Sequence, residues 1–272
     1  VVKLLARTSL SAKKRFENWG NYMRFGVTAR PKNKVARLPI HYNECLQSYL
    51  YSIFRDKMPF LHDIGYCTEG KVFRHYTFSR IFSEGMKREG DFFLVRNPIE
   101  FYASFLVDPM PNIVIEHLIT DHALRLGSEE FEIIDAKAYA DPIDFKPGER
   151  TELDIVALSP IVAYKTVYIE EKKKTHYFKP YDPEFPRSIE ENLRNKLSTI
   201  HDTGSALLDF HIAPTNFDLS RNESIVRYKG FIIKGYTGKF HISGSSELVH
   251  VAYHTGLGSK NAQGFGMFKI VS

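Results

Sequence analysis

Residues 245–272 read Ser-Ser-Glu-Leu-Val-His-Val-Ala-Tyr-His-Thr-Gly-Leu-Gly-Ser-Lys-Asn-Ala-Gln-Gly-Phe-Gly-Met-Phe-Lys-Ile-Val-Ser. Ser245 or Ser246 suits an N-cap, Glu247 the first turn, and Leu248, Val251, Ala252 and Thr255 fall on one face of a helix. Gly256 then serves as its C′ residue. Gly256, Gly258, Gly264 and Gly266 bracket Ser259, Lys260, Asn261, Ala262 and Gln263, after which Met267 opens a last strand. A glycine loop that serves ATP or a dinucleotide needs a long helix after it to receive phosphate. Only Met267 to Ser272 follow here, and the lysine spacing is not that of a Walker A loop. The expected element is helix, glycine loop, strand, with the loop's backbone N–H groups forming an anion nest.

Outward from this run, the 272-residue chain has room for two domains, and its formal charge of +5 favours polyanionic partners. Fifteen tyrosines and twenty-one phenylalanines supply core material and flat faces on which bases can stack. Cys45 and Cys67 cannot make a disulfide framework and no Cys/His spacing resembles a zinc site, so a reduced, cytoplasmic setting without metal or cofactor is expected. The apolar runs are too short to span a membrane, and Leu4-Leu5-Ala6 is too short for a signal-peptide core.

Residues 1–22 are basic and read as an N-terminal extension, native or vector-derived, with Met23 fitting a natural start. Residues 23–140 then give a strand over Arg24 to Arg30, a helix from Asn43 to about Lys57, strands over Lys71 to Phe82 and Phe92 to Val107, a helix carrying Ile115, Leu118 and Ile119, and a strand over Phe131 to Tyr139. In the first helix Leu46, Tyr49, Leu50, Ile53 and Phe54 form the apolar stripe, Asn43 is the expected N-cap, and Gln47, Tyr51 and Arg55 point to the wetter side. Pro142, Pro147 and Gly148 mark a domain boundary. Residues 150–272 give strands over Leu153 to Tyr164 and Thr166 to Ile169, a basic hairpin tip at Lys172 to Lys174, and a helix with Ile189, Leu193, Leu197 and Ile200. Strands over Ala206 to Ile212 and Ile225 to Lys239 lead into the final helix. The first half spells β-α-β-β-α-β and the second again looks like a ferredoxin-like unit, so the fold class is α+β with two tandem ferredoxin-like (RRM-like) domains.

The order of Leu38-Pro-Ile-His-Tyr-Asn43, Leu46-Gln-Ser-Tyr-Leu-Tyr51, Leu158-Ser-Pro-Ile161, Gly235-Tyr-Thr-Gly-Lys-Phe240 and Glu247 to Met267 resembles the CRISPR-associated repeat-processing endoribonucleases, the Cas-six family of repeat-associated mysterious proteins. The resemblance runs from Met23 to Ser272. It implies two ferredoxin-like domains, CRISPR repeat RNA as precursor and product, and metal-independent cleavage on the 3′ side of a repeat hairpin. RNA-binding positions fall on Gly256, Gly258, Ser259, Lys260, Asn261, Gln263, Gly264 and Gly266. Archaeal relatives use a tyrosine in the first helix, a histidine shortly after it and a lysine at the start of the next strand. By position these are Tyr51, His62 and Lys71, with His41 a second histidine candidate. Other CRISPR interference subunits are compatible partners, as is a homodimer.

RNA brings its own nucleophile, the 2′-OH. A cutter must deprotonate it, stabilise added negative charge at phosphorus and protonate the 5′-oxygen, leaving a 2′,3′-cyclic phosphate and a 5′-OH. Imidazole suits the proton transfers at neutral pH, worth roughly 10²–10⁴ in rate. On the implied assignment His62 moves protons, Lys71 places positive charge on the phosphorane, and Tyr51 holds the 2′-OH. His75, His250 and His254 read as strand or helix surface residues. A catalytically silent repeat-RNA-binding subunit and an unrelated RRM-type RNA-binding protein are the competing functions.

Overall fold

The computed structural model describes residues 23–60, 65–68, 70–200 and 207–271. In chain order its elements are β1 (Met23–Pro31), β2 (Ala36–Pro39), α1 (Asn43–Phe54), β3 (Tyr66–Thr68), β4 (Lys71–Phe73), β5 (Tyr76–Phe78), β6 (Phe82–Ser83), β7 (Lys87–Glu89), β8 (Phe92–Val95), β9 (Ile99–Phe105), α2 (Met110–Thr120), β10 (Ala123–Leu126) and β11 (Glu129–Tyr139). There follow β12 (Arg150–Ala157), β13 (Tyr164–Ile169), β14 (Lys172–Tyr177), α3 (Glu184–Ser198), β15 (Phe210–Thr215), β16 (Glu223–Tyr228), β17 (Phe231–Tyr236), β18 (Lys239–Ser245), α4 (Ser246–Thr255) and β19 (Phe268–Val271). Two compact units result: residues 1–65 with 80–142, and residues 66–79 with 143–272.

In the first unit β1 lies between β9 and β11, pairing antiparallel with both, Val27 opposite Phe101 on one side and Ala136 on the other. Strand alternation sends Phe25, Val27, Phe101, Ala103 and Ile133 to the buried face. Leu46, Leu50, Ile53 and Phe54 of α1 and Ile113, Val114 and Leu118 of α2 are buried as well. The Phe54 and Phe105 rings meet edge to face at 5.6 Å. Each such side chain contributes about 1.5–3 kcal/mol by leaving water.

The expected stripe of α1 is buried throughout, but two details differ. Tyr42, not Asn43, occupies the N-cap position, and Asn43 is a buried first-turn residue. Gln47 is also buried, because the apolar environment wraps further round the helix than the stripe alone requires. The strand expected over Lys71 to Phe82 is broken into β4, β5 and β6, with His75 in the left-handed region at φ 51°. Similarly β8 and β9 are separate strands, with Pro98 in the gap between them.

The second unit has sheet order β15-β18-β12-β19, the ferredoxin-like order, with α3 and α4 as its two helices. Phe185, Ile189, Leu193 and Leu197 of α3 are buried, as are Leu248, Val251, Ala252 and Thr255 of α4. Two antiparallel hairpins, β13–β14 and β16–β17, extend this frame. Lys172 to Lys174 are not a tip: they lie within β14, and the turn is Glu170-Glu171, both at positive φ. Likewise the expected strand over Ile225 to Lys239 is interrupted by a two-residue turn at Lys229-Gly230, where φ is 47° and 80°. Positive φ at both central residues is the hairpin-favouring geometry. No helix among the described residues is long and apolar enough to cross a membrane.

Candidate functional site

The glycine loop is the best-defined feature of the second unit, and its glycines are required by packing. A Cβ on Gly258 would run into the carbonyl oxygen of Val162, and one on Gly266 into that of Leu257. At Gly256 a Cβ would come within 2.7 Å of Asn261 Nδ2 and 2.9 Å of Thr77 Oγ1. All four glycines have positive φ, so side chains there would also strain the backbone.

Several of the N–H groups expected to form an outward nest are used inside the protein. Leu257 N–H donates to Gly266 O, Ser259 N–H to Val162 O, Gly264 N–H to Asn261 O and Gly266 N–H to Pro160 O, at 2.8–2.9 Å. Buried backbone donors must find partners, and in so dry a loop they find them within the protein. Asn261 clamps the loop from inside, its Nδ2 donating to Leu257 O at 3.1 Å and Phe265 O at 3.0 Å. The half-exposed tip consists of Ser259, Lys260, Ala262 and Gln263, whereas Gly256, Gly258, Asn261, Gly264 and Gly266 are buried. Lys260 sits at φ 65° with its ammonium 5.0 Å from the centre of the Tyr164 ring. Partial burial holds this amine below the ordinary lysine range.

Beneath the loop lies a polar cluster that sequence reading missed. Lys196 of α3 is 2 % exposed, and its Nζ donates to Gly256 O at 2.7 Å and reaches Gly258 O at 3.5 Å. Burial pushes its pKa well below the usual value. Thr199 Oγ1 donates to Lys196 O at 2.7 Å, which leaves it an acceptor for His75 Nε2, also at 2.7 Å. His75 therefore carries its proton on Nε2, and Nδ1 has no hydrogen-bond partner among the described residues. Burial, with the Lys196 charge beside it, lowers the His75 pKa to about 3. His75 and His254 are thus core residues rather than the surface residues expected. The signal for Lys196 was present: it follows Ile189 by seven positions, on the stripe that also holds Leu193 and Leu197.

β5 closes the loop from another side. Tyr76 Oη donates to Ala262 O at 3.4 Å and Thr77 Oγ1 to Phe265 O at 3.0 Å. The remaining expected site residues are distributed as follows. Lys71 opens β4 in the second unit, exposed, with Nζ 2.6 Å from Glu191 Oε1. Tyr51 is half-buried on α1 and His41 half-buried just before it, both in the first unit. His62 and the extension over residues 1–22 lie outside the described residues.

Residues 144–270 match the family model described as CRISPR associated protein Cas6, C-terminal. Over 260 residues the chain is 27 % identical to the CRISPR-associated endoribonuclease Cas6 of Pyrococcus furiosus, covering 91 % of this chain and 90 % of that protein. Among solved structures it is similar to the product of a Cas6-related gene from Pyrococcus furiosus, at 22 % identity and TM-score 0.76, covering 92 % of this chain and 99 % of that one. A structure described as a RAMP protein binding different RNA substrates gives 23 % identity and TM-score 0.73, covering 92 % of this chain and all of that one.

Proposed function

We propose that this chain, which matches the Cas6 C-terminal family model over residues 144–270 and a Cas6 endoribonuclease over nine-tenths of its length, is a Cas6-type endoribonuclease that cuts CRISPR precursor RNA within its repeats. The observation that carries the reading is the similarity along nine-tenths of the chain to a protein named as a Cas6 endoribonuclease. The packed glycine loop, with its half-exposed tip of Ser259, Lys260, Ala262 and Gln263, supports it by offering a preformed surface that needs no ordering before RNA arrives.

The reaction is metal-independent transesterification: the 2′-OH attacks the adjacent phosphorus, the 5′-oxygen leaves, and the products carry a 2′,3′-cyclic phosphate and a 5′-OH. His62 transfers protons, with His41 the second histidine for that role, Tyr51 orients the 2′-OH, and Lys71 balances charge on the phosphorane. Lys71 is held meanwhile by Glu191 in an ion pair whose side chains are 48 % and 63 % exposed. Exposed pairs contribute only about 0–1 kcal/mol, so an RNA phosphate can take the lysine from Glu191 at little cost.

Single-turnover incubation with labelled repeat RNA in EDTA tests the reading. Wild type is expected to cut once, while His62→Ala and a substrate with 2′-H at the cleavage site fail. Tight binding by wild type without any cut would instead identify a repeat-holding subunit. Cleavage by His62→Ala at the wild-type rate would remove His62 from the mechanism.

A further inference from the structure

The outward face of the first unit's sheet carries a row of aromatic rings that the proposed chemistry leaves unused. Gly26 of β1 stands opposite Tyr102 of β9, and the neighbouring Arg24 stands opposite Tyr139 of β11. Phe82 of β6 pairs with Glu100, two residues from Tyr102 and on the same face. The ring centres run Phe82 to Tyr102 at 6.4 Å and Tyr102 to Tyr139 at 6.2 Å. Gly26 makes the row possible: a Cβ there would meet Tyr102 Cε1 and Tyr139 Cε2 at 3.1 Å, so the two rings close over the glycine. Phe82 is 40 % and Tyr139 37 % exposed. Adjacent to Phe82 and Glu100 lies an open groove of about 580 Å³, lined also by Thr28, Met86 and Pro98.

The polar groups beside the rings discriminate between occupants. Tyr102 Oη donates to Glu100 Oε1 at 2.6 Å, which fixes the ring and leaves the carboxylate able to accept further hydrogen bonds. The nearby Lys137 ammonium is paired with Asp135 at 3.0 Å. A carboxylate repels phosphate but accepts from the amino groups on base edges, and aromatic faces stack bases without regard to sequence. A face with half-exposed rings and one fixed carboxylate therefore offers a base both a stacking surface and a hydrogen-bond acceptor.

We propose that Phe82, Tyr102 and Tyr139 form a stacking platform for unpaired nucleobases of the bound RNA, with Glu100 accepting from an amino-bearing base edge. The platform rests on the reading of this chain as a repeat-RNA enzyme. Phe82 marks the end that opens into the groove, and Gly26 sets the height at which bases stack.

Its test compares repeat-RNA affinity for wild type, Tyr102→Leu/Tyr139→Leu and Tyr102→Phe/Tyr139→Phe, using intact RNA and RNA with single abasic substitutions at unpaired positions. The leucine pair is expected to weaken binding about tenfold or more, with the phenylalanine pair restoring most of it. At one unpaired position, loss of the base should cost wild type a similar factor and cost the leucine pair nothing further. Wild-type binding left unchanged in the leucine pair overturns the platform, whereas failure of wild type to bind overturns the repeat-RNA reading itself. Should the leucine pair not fold, wild type crosslinked to repeat RNA carrying 5-iodocytidine decides. Adducts on the peptides that hold Tyr102 or Tyr139 support the platform. Adducts confined to other peptides, as a protein-binding face would give, overturn it.

Discussion

A neutral imidazole is the state in which His75 is folded, and that state ties stability to pH. The unfolded chain takes up this proton near pH 6.5, whereas the buried ring resists it down to about 3. Between those values the unfolded state holds more protons, so stability rises with pH there. The contribution is complete above 6.5 and is lost as pH falls toward 3, at up to about 1.4 kcal/mol per pH unit. Urea unfolding at several pH values in that window should show the slope in wild type and a flatter one in His75→Asn, which does not titrate and tolerates the positive φ. Equal slopes would mean that other groups carry the acid sensitivity. Nothing local in Phe-Arg-His-Tyr announces a core histidine. Its burial comes from Thr199, which lies 124 residues further along the chain.

Between elements, one side chain ties α3 to the glycine loop. Lys196→Met keeps the unbranched stem, one atom shorter, and removes the donor to Gly256 O. Two effects oppose each other: the buried amine no longer costs desolvation, but loop carbonyls in a dry interior lose their partner. Because the amine is bonded at 2.7 Å to the carbonyl of buried Gly256, the second effect should win, by about 1–3 kcal/mol. A urea midpoint lowered at unchanged m-value checks this, and an unchanged or raised midpoint would assign the lysine no net stabilising role. The helices were legible because their stripes repeat every three or four residues over two to four turns. The hairpins were less so. Lys229-Gly230 lacks the Asn or Asp that usually signals such a turn, and the Lys172 to Lys174 run draws attention from the Glu170-Glu171 turn beside it.

At the scale of the molecule, two ferredoxin-like halves were readable because each interleaves strand and helix patterns. What pattern could not supply is ownership of residues 66–79, which precede the sequence boundary at 141–150 yet belong to the second unit. That membership rests on contacts spanning most of the chain: Tyr76 to Ala262, Thr77 to Phe265 and His75 to Thr199. Local propensity carries no information about partners so distant. The same contacts make a prediction about truncation. A fragment of residues 143–272 would keep its four-stranded sheet but leave the inner side of the glycine loop without Tyr76 and Thr77, and Thr199 without His75. Buried apolar surface and paired polar groups would both be exposed. The fragment should therefore melt well below the intact chain, and adding a synthetic peptide of residues 66–79 should raise its melting temperature in proportion to the logarithm of peptide concentration once binding saturates. If the fragment alone melts with the intact chain, the long-range bonds of β5 are incidental and the glycine loop is held by α3, α4 and Val162 without it.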